Sequence, residues 1–193
     1  SDGGYIIGCY SASGVGGDRT QPPWGSGGSD YWIVKLDSLG NKLWDRRFGG
    51  TNGEYLHAIA NTNDGGFLIG GHSYSDSSGD ITNPGPQWLV KIDENGNKIW
   101  DKGFFGGLHE FNNLSQTSDG GFLFTCRICG QSGSDKSEQN LGSCQAWVVK
   151  IDSAGNKQWD KTIFTTGFDG YSEAVETHDG CYVVAVGTSA GIG

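Results

Sequence analysis

The sequence predicts an all-β fold, a β-propeller built from four-stranded antiparallel blades, with about three and a quarter blades present. Three observations carry that expectation. A sixteen-residue phrase occurs three times, as DYWIVKLDSLGNKLWD at 30–45, PQWLVKIDENGNKIWD at 86–101 and QAWVVKIDSAGNKQWD at 145–160. A second phrase occurs four times, as DGGYIIGCYS at 2–11, DGGFLIGGHS at 64–73, DGGFLFTCRI at 119–128 and DGCYVVAVGT at 179–188. Glycine reaches 35 of 193 residues while apolar residues reach only 35%, a mixture suited to short strands and tight turns rather than helices.

The leading aspartates Asp2, Asp64, Asp119 and Asp179 lie 62, 55 and 60 residues apart, and a fixed period of this length is read before any local feature. Within one period the expected strands are EYLHAIANT at 54–62, FLIGGHS at 67–73, WLVKID at 88–93 and KIWDKGF at 98–104. N-D-G-G turns the first into the second. D-x-x-G-N turns the third into the fourth, with Asp opening a type I turn and Gly free to take the left-handed conformation. In WIVKLD the side chains of Trp32, Val34 and Leu36 share one face, as do Trp88, Val90, Ile92 and Trp147, Val149, Ile151. A second tryptophan recurs at 44, 100 and 159. Large aromatics at fixed places in each repeat fill the space between stacked sheets. Four strands per period and a tryptophan signature describe propeller blades: an incomplete one at 1–53, two more at 54–108 and 109–168, and the start of another at 169–193. A β-solenoid is the alternative, with shorter and more even periods expected of it.

The pattern W-[ILV]-V-K-[IL]-D-x-x-G-N-K-x-W-D with D-G-G-[FY] upstream resembles the β-propeller repeats of large secreted or cell-surface bacterial proteins, especially of Bacteroidota. It is also distantly similar to the tryptophan-docked blades of quinoprotein dehydrogenases. The resemblance covers the chain outside three long loops. It implies an exported, multi-repeat surface protein and brings no catalytic residue with it. The chain opens inside a strand without Met, which reads as an internal or processed segment. Either a longer repeat array or association with neighbouring subunits is then expected to close the ring, because cut ends would expose strand edges.

The net charge of −9 argues against nucleic acid or an anionic membrane surface as partner. No apolar run approaches the roughly 18–20 residues of a membrane helix, so no membrane insertion is expected. Cys129 and Cys144 flank the loop GQSGSDKSEQNLGS and are expected to form a disulfide, which implies an oxidising compartment; Cys9, Cys126 and Cys181 have no assigned pairing. CRIC at 126–129 has the spacing of a CxxC motif but lies in a strand-like run without a second CxxC or a nearby histidine, so no metal is expected there.

Searching for chemistry gives little. The four histidines share no metal-ligand spacing, no G-x-S-x-G elbow occurs, and the Gly-rich stretches lack the lysine of a phosphate loop. No catalytic residue, cofactor or metal is assigned. Glu54, His109 and Asp169 occupy equivalent positions ten residues before each D-G aspartate, so they are candidate ligand-binding residues at a channel mouth; the plainer reading is a solvated strand start. The loops at 12–29, 74–86 and 129–144 project from one side, where recognition is expected. They are acidic, with Asp18, Asp30, Asp76, Asp80 and Asp135, but lack calcium-loop spacing. Trp24 is the tryptophan outside the repeat and the candidate contact residue, stacking on a sugar, meeting a neighbouring subunit or simply packing its loop. The function expected is noncatalytic: adhesion, surface assembly, or glycan or protein binding through the loop face of a secreted or surface protein. The alternatives are part of a propeller enzyme, oxidoreductase or glycosidase, with catalytic residues mostly elsewhere, or a structural repeat of a filament.

Overall fold

The computed structural model describes residues 3–25, 28–107, 110–129 and 133–189. Thirteen strands and no helix occur among them. The strands are β1 Tyr5–Ser11, β2 Asp30–Leu36, β3 Lys42–Phe48, β4 Glu54–Asn61, β5 Phe67–Ser73, β6 Gln87–Ile92 and β7 Lys98–Phe104. They continue as β8 Phe111–Gln116, β9 Phe122–Cys129, β10 Cys144–Ile151, β11 Lys157–Ile163, β12 Asp169–Glu176 and β13 Tyr182–Thr188. They form four antiparallel meanders of three, four, four and two strands: β1–β3, β4–β7, β8–β11 and β12–β13.

The meander gives each sheet two unlike ends. At one, the turn end, T-x-D-G and D-x-x-G-N close the hairpins. In the latter, Asp37, Asp93 and Asp152 each accept backbone N–H bonds two and four residues on and the side-chain amide of Asn41, Asn97 or Asn156. Gly40, Gly96 and Gly155 sit at φ 85°, 78° and 81°, the left-handed region where only glycine is unstrained. The oxygens of these aspartates are engaged by the turn itself.

Side-chain alternation explains how the sheets pack. Trp88, Val90 and Ile92 face Tyr31 and Ile33 of the first sheet, while Leu68, Leu89 and Phe104 on the opposite face meet Phe122, Phe124 and Trp147 of the third. Leu123 and Val148 in turn meet Ala174 of the fourth. Sheets covered on both sides are buried at every position of β5, β6 and β10; the flanking strands β1 and β13 keep exposed residues. Trp88 and Trp147 are fully buried, and interring an aromatic side chain of this size contributes roughly 1.5–3 kcal/mol or more.

The second tryptophan of the first two phrases links consecutive sheets. Trp44 donates its indole N–H to the carbonyl of Glu94 at 3.2 Å, and Trp100 does the same to Ser153 at 3.2 Å. Each therefore docks on the D-x-x-G-N turn of the following repeat. A Cβ on Gly96 would lie 3.1 Å from the Trp44 ring, and one on Gly155 3.1 Å from the Trp100 ring. The turn glycine thus serves both the hairpin and its tryptophan neighbour.

Candidate functional site

The loop end is built on a clamp that occurs three times. Asp45, Asp101 and Asp160, the last letters of the repeated phrase, are nearly or fully buried. Each accepts the indole N–H of the phrase's first tryptophan: Trp32 to Asp45 at 3.1 Å, Trp88 to Asp101 at 3.1 Å, Trp147 to Asp160 at 2.9 Å. Each also pairs with the lysine three residues earlier, Lys42, Lys98 or Lys157. The remaining capacity pins a loop: the backbone N–H and hydroxyl of Thr20, Thr82 and Ser137 donate to the three carboxylates. The same lysines donate to the carbonyls of Asp18, Asp80 and Asp135. A D-x-[ST] signature, DRT, DIT and DKS, was thus present in all three loops. Read for loop acidity alone, it escapes notice, because its meaning depends on a carboxylate about twenty residues further along the chain. Burial would raise these carboxyls, but the donors outweigh it and hold Asp45 down at about 2, with Asp101 and Asp160 also lowered.

The third loop carries a further tie. Cys144 pairs with Cys129 across β9 and β10, and the two form a disulfide. Cys126 of the CRIC run is buried in the core, where desolvation raises its thiol pKa well above the ordinary range; it is a packing residue.

Of the sequence-predicted contact residues, Trp24 and Glu54 come into one cluster. Trp24 keeps 40% of its surface exposed, yet its backbone N–H donates to Asp30 at 2.8 Å and its indole to Asp80 at 3.0 Å. The guanidinium of Arg47 lies 4.7 Å over its ring. It therefore ties the first loop to the second. Glu54 is fully buried and accepts from the Gly50 N–H and the Ser73 hydroxyl. Asp30, also fully buried, reaches the other side of the same turn: a Cβ on Gly49 would lie 2.1 Å from Asp30 Oδ1 and 2.7 Å from Glu54 Oε2. Burial raises the Asp30 carboxyl to about 6, assisted by Glu54 and opposed by the Trp24 N–H, Arg47 and Arg19; Glu54 is raised for the same first reason. Asp169 is fully buried too and accepts from the Thr165 hydroxyl at 2.7 Å. Both carboxylates brace the turn that precedes their own strand. His109 lies outside the described residues.

Sequence reasoning did not find the cleft beside this cluster. About 250 Å³ in volume, it is lined by Tyr10, Tyr55, His57, His72, Tyr74 and Glu110. Tyr10 and Tyr55 have ring centroids 4.9 Å apart at 67°, Tyr55 and Tyr74 6.0 Å apart at 85°, and His57 and His72 4.9 Å apart. His57 is the extra residue of a β-bulge, since Leu56 pairs with Gly71 and Ala58 with Gly70; bulges re-aim a side chain and recur beside functional sites. The same irregularity recurs at Asn112 in β8 and at 170–171 in β12. There Asn112 is tied to Ser172, which donates to it through both its N–H and its hydroxyl, whereas the His57 position opens on the cleft. Burial lowers the His57 pKa, partly offset by Glu110. Glu110 is paired with Arg127 at 3.1 Å. A larger cleft of about 750 Å³ at the turn end, between the first two sheets, includes Lys35, Trp44 and Glu94. No group of three or more His, Cys, Asp or Glu placed to hold a metal occurs among the described residues. No described helix is long and apolar enough to cross a membrane.

No family model and no curated protein matches this sequence. Among solved structures, the fold is similar to a protein of unknown function from Bacteroides caccae, with a TM-score of 0.50 and 14% sequence identity over 92% of this chain and 49% of that one. At that identity the likeness concerns the fold alone, and this chain spans about half the length of that protein.

Proposed function

We propose that the chain is a noncatalytic propeller segment of a secreted or cell-surface protein, binding a glycan or protein through its loop end. The observation that carries this reading is the triple clamp. Asp45, Asp101 and Asp160 fasten three loops of unlike sequence to the same end of consecutive sheets, which is the arrangement of variable contact surfaces on a rigid scaffold. The sheets are read as blades because each repeat lays one meander against the next and locks it with a tryptophan on the neighbouring turn; four-stranded meanders in radial repetition make a propeller. The Cys129–Cys144 disulfide fits an oxidising compartment, and the repeated phrases favour kinship with bacterial surface repeats. A glycosidase would need two carboxyl groups about 5–10 Å apart and open to substrate. Asp30 and Glu54 converge but are both fully buried, so they serve the turn at Gly49 instead.

The test is an array of glycans and extracellular proteins probed with the native chain, alongside assays for glycoside hydrolysis and dye-linked oxidation. Binding without turnover supports the reading. Turnover of either substrate class, or an array on which nothing binds, sinks it.

A further inference from the structure

We propose that the tyrosine–histidine cleft at the loop end is a subsite for one neutral hexopyranose unit of a glycan. The inference rests on the reading of that end as a binding face and names the ligand this cleft would take.

The chemistry of the lining selects the ligand by elimination. Tyr10, Tyr55 and Tyr74 stand edge to face, so their ring faces open in different directions, and Tyr10 and Tyr74 are 50% and 59% exposed. Tyrosine offers a flat apolar face with a polar tip, and ordering it costs little entropy because few torsions are fixed. Two imidazoles and one carboxylate complete the lining, and no aliphatic side chain contributes. A wholly apolar ligand would cover the phenol hydroxyls of the tyrosines without pairing them. A cation finds the Glu110 carboxylate already held by Arg127. An anion finds the Arg127 charge already paired with Glu110 and, with His57 shifted toward its neutral form, little other positive charge on a chain of net charge −9. What remains is a neutral molecule with apolar C–H faces for the rings and hydroxyls for the phenols, imidazoles and carboxylate, which describes a pyranose. At about 250 Å³ the cleft falls below the roughly 300–1,000 Å³ that takes drug-sized ligands, so it holds one ring. The bulge at His57 supplies the local device: a scaffold irregularity present in three sheets aims a different side chain in each.

The experiment titrates the native chain with the methyl glycosides of glucose, galactose, mannose and N-acetylglucosamine, and with their trisaccharides. It is followed by calorimetry and by the ring-proton shifts of the histidines. Saturable binding of at least one probe is expected at millimolar strength, with His57 and His72 among the resonances that move. The affinity should be little changed by raising salt to about 0.5 M, because no ion pair is formed. Tyr74→Ala should weaken binding about tenfold or more, the equivalent of about 1.4 kcal/mol, while Tyr74→Phe retains most of it. Should Tyr74→Ala fold poorly, the histidine shifts in the native chain decide alone. The inference is overturned if no probe saturates up to about 20 mM, or if binding leaves the histidine shifts and the Tyr74→Ala affinity unchanged. Sugar binding lost in Trp24→Ala but kept in Tyr74→Ala would retain the loop-face reading and discard the cleft. Hydrolysis of a probe bound through Tyr74 would do the reverse.

Discussion

The two ends of each sheet are built on opposite terms. At the turn end, the same letters produce the same bonds in each repeat. Asp64 and Asp119 accept from a threonine two residues earlier and a glycine N–H two residues later, and pair with the buried Lys91 and Lys150. At the loop end the foundation is equally uniform, one aspartate per repeat, but the residues above it differ: Trp24 on Asp80, a disulfide at 129–144, a tyrosine wall beside His57. The hairpin residues of the turn end satisfy their own backbone and receive the neighbouring tryptophan. The loop end separates the anchor from the surface, which leaves the surface free to vary.

The largest effect expected from breaking this comparison is at the anchor. Asp101→Ala removes the shared acceptor of a donor group made of the buried Trp88 indole, two part-buried loop N–H groups and the Lys98 ammonium, which keeps only the Asp80 carbonyl. Removing one partner of such a group costs about 3–5 kcal/mol, read as a fall in urea midpoint at constant slope. Asp93→Ala, at the exposed turn, loses hydrogen bonds that water replaces and should cost under about 1 kcal/mol. Equal losses at the two positions would remove the distinction between anchor and turn. Next in size is the disulfide. Cys129 and Cys144 are separated by 15 residues, and a loop of that length corresponds to about 3 kcal/mol of stabilisation in the chain-entropy account. Reduced and alkylated protein should unfold earlier by that amount; an unchanged midpoint would mean that strand pairing alone fixes the loop.

The buried Asp30 cluster at the loop end answers pH in the opposite direction to the turn end and to the clamp, whose Asp45 is likewise held at about 2. Lys150 and the Thr117 hydroxyl hold Asp119 at about 2, and at Asp64 the bonds from Thr62 and Lys91 overcome burial to give about 2 as well. Stability from these depressed carboxyls is complete above the ordinary value of 3.8 and is lost as pH falls toward 2. Asp30 is raised from 3.8 to about 6, so its contribution is complete below 3.8 and is lost as pH rises through 6. A stability maximum near pH 4 follows, with the decline due to Asp30 running from there to about pH 6. Asp30→Asn should flatten the decline above pH 4 and stabilise the chain at pH 7 by about 2–3 kcal/mol, since one pKa unit is about 1.4 kcal/mol. A variant whose stability falls with pH as steeply as the native chain would place the pH response elsewhere.

Much of the turn end was legible in the sequence, because a hairpin turn is written in adjacent residues: D-x-x-G-N, the φ-permissive glycine and the alternating strand faces all follow from local chemistry. The strand alternation that pairs Trp88 with Val90 and Ile92 was equally readable, and so was the Cys129–Cys144 pairing across a hairpin mouth. The loop end was not, for a physical reason. Asp101 gains its meaning from Thr82, nineteen residues earlier, and Asp30 meets Glu54 only because both approach Gly49. Glu54 and Asp169 read as solvated strand starts or channel-mouth ligands; the fold buries both, since the turn preceding each strand needs an internal acceptor. The bulge that aims His57 leaves no mark in composition, because any residue can occupy it.

The smallest predicted effect isolates the tryptophan link itself. Gly96 and Gly40 occupy the same turn position with nearly the same φ, 78° and 85°. Alanine at either must adopt a left-handed backbone, at about 1–2 kcal/mol. The difference lies in what the new methyl meets: 2.7 Å from Arg46 Cγ and 3.1 Å from the Trp44 ring at Gly96, and nothing within 4 Å at Gly40. The backbone cost cancels in the comparison, so the excess loss in Gly96→Ala reports the displacement of Trp44 from its turn together with that of the flexible Arg46 side chain. That excess should be about 1–2 kcal/mol, within the usual cost of overpacking a close contact, and should be accompanied by a shift in tryptophan fluorescence that Gly40→Ala lacks. Combining Gly96→Ala with Trp44→Ala should abolish the excess, because the methyl then enters vacated space and the two changes are not additive. If the excess persists without the tryptophan, it arises at Arg46 and the indole is a passenger on the turn.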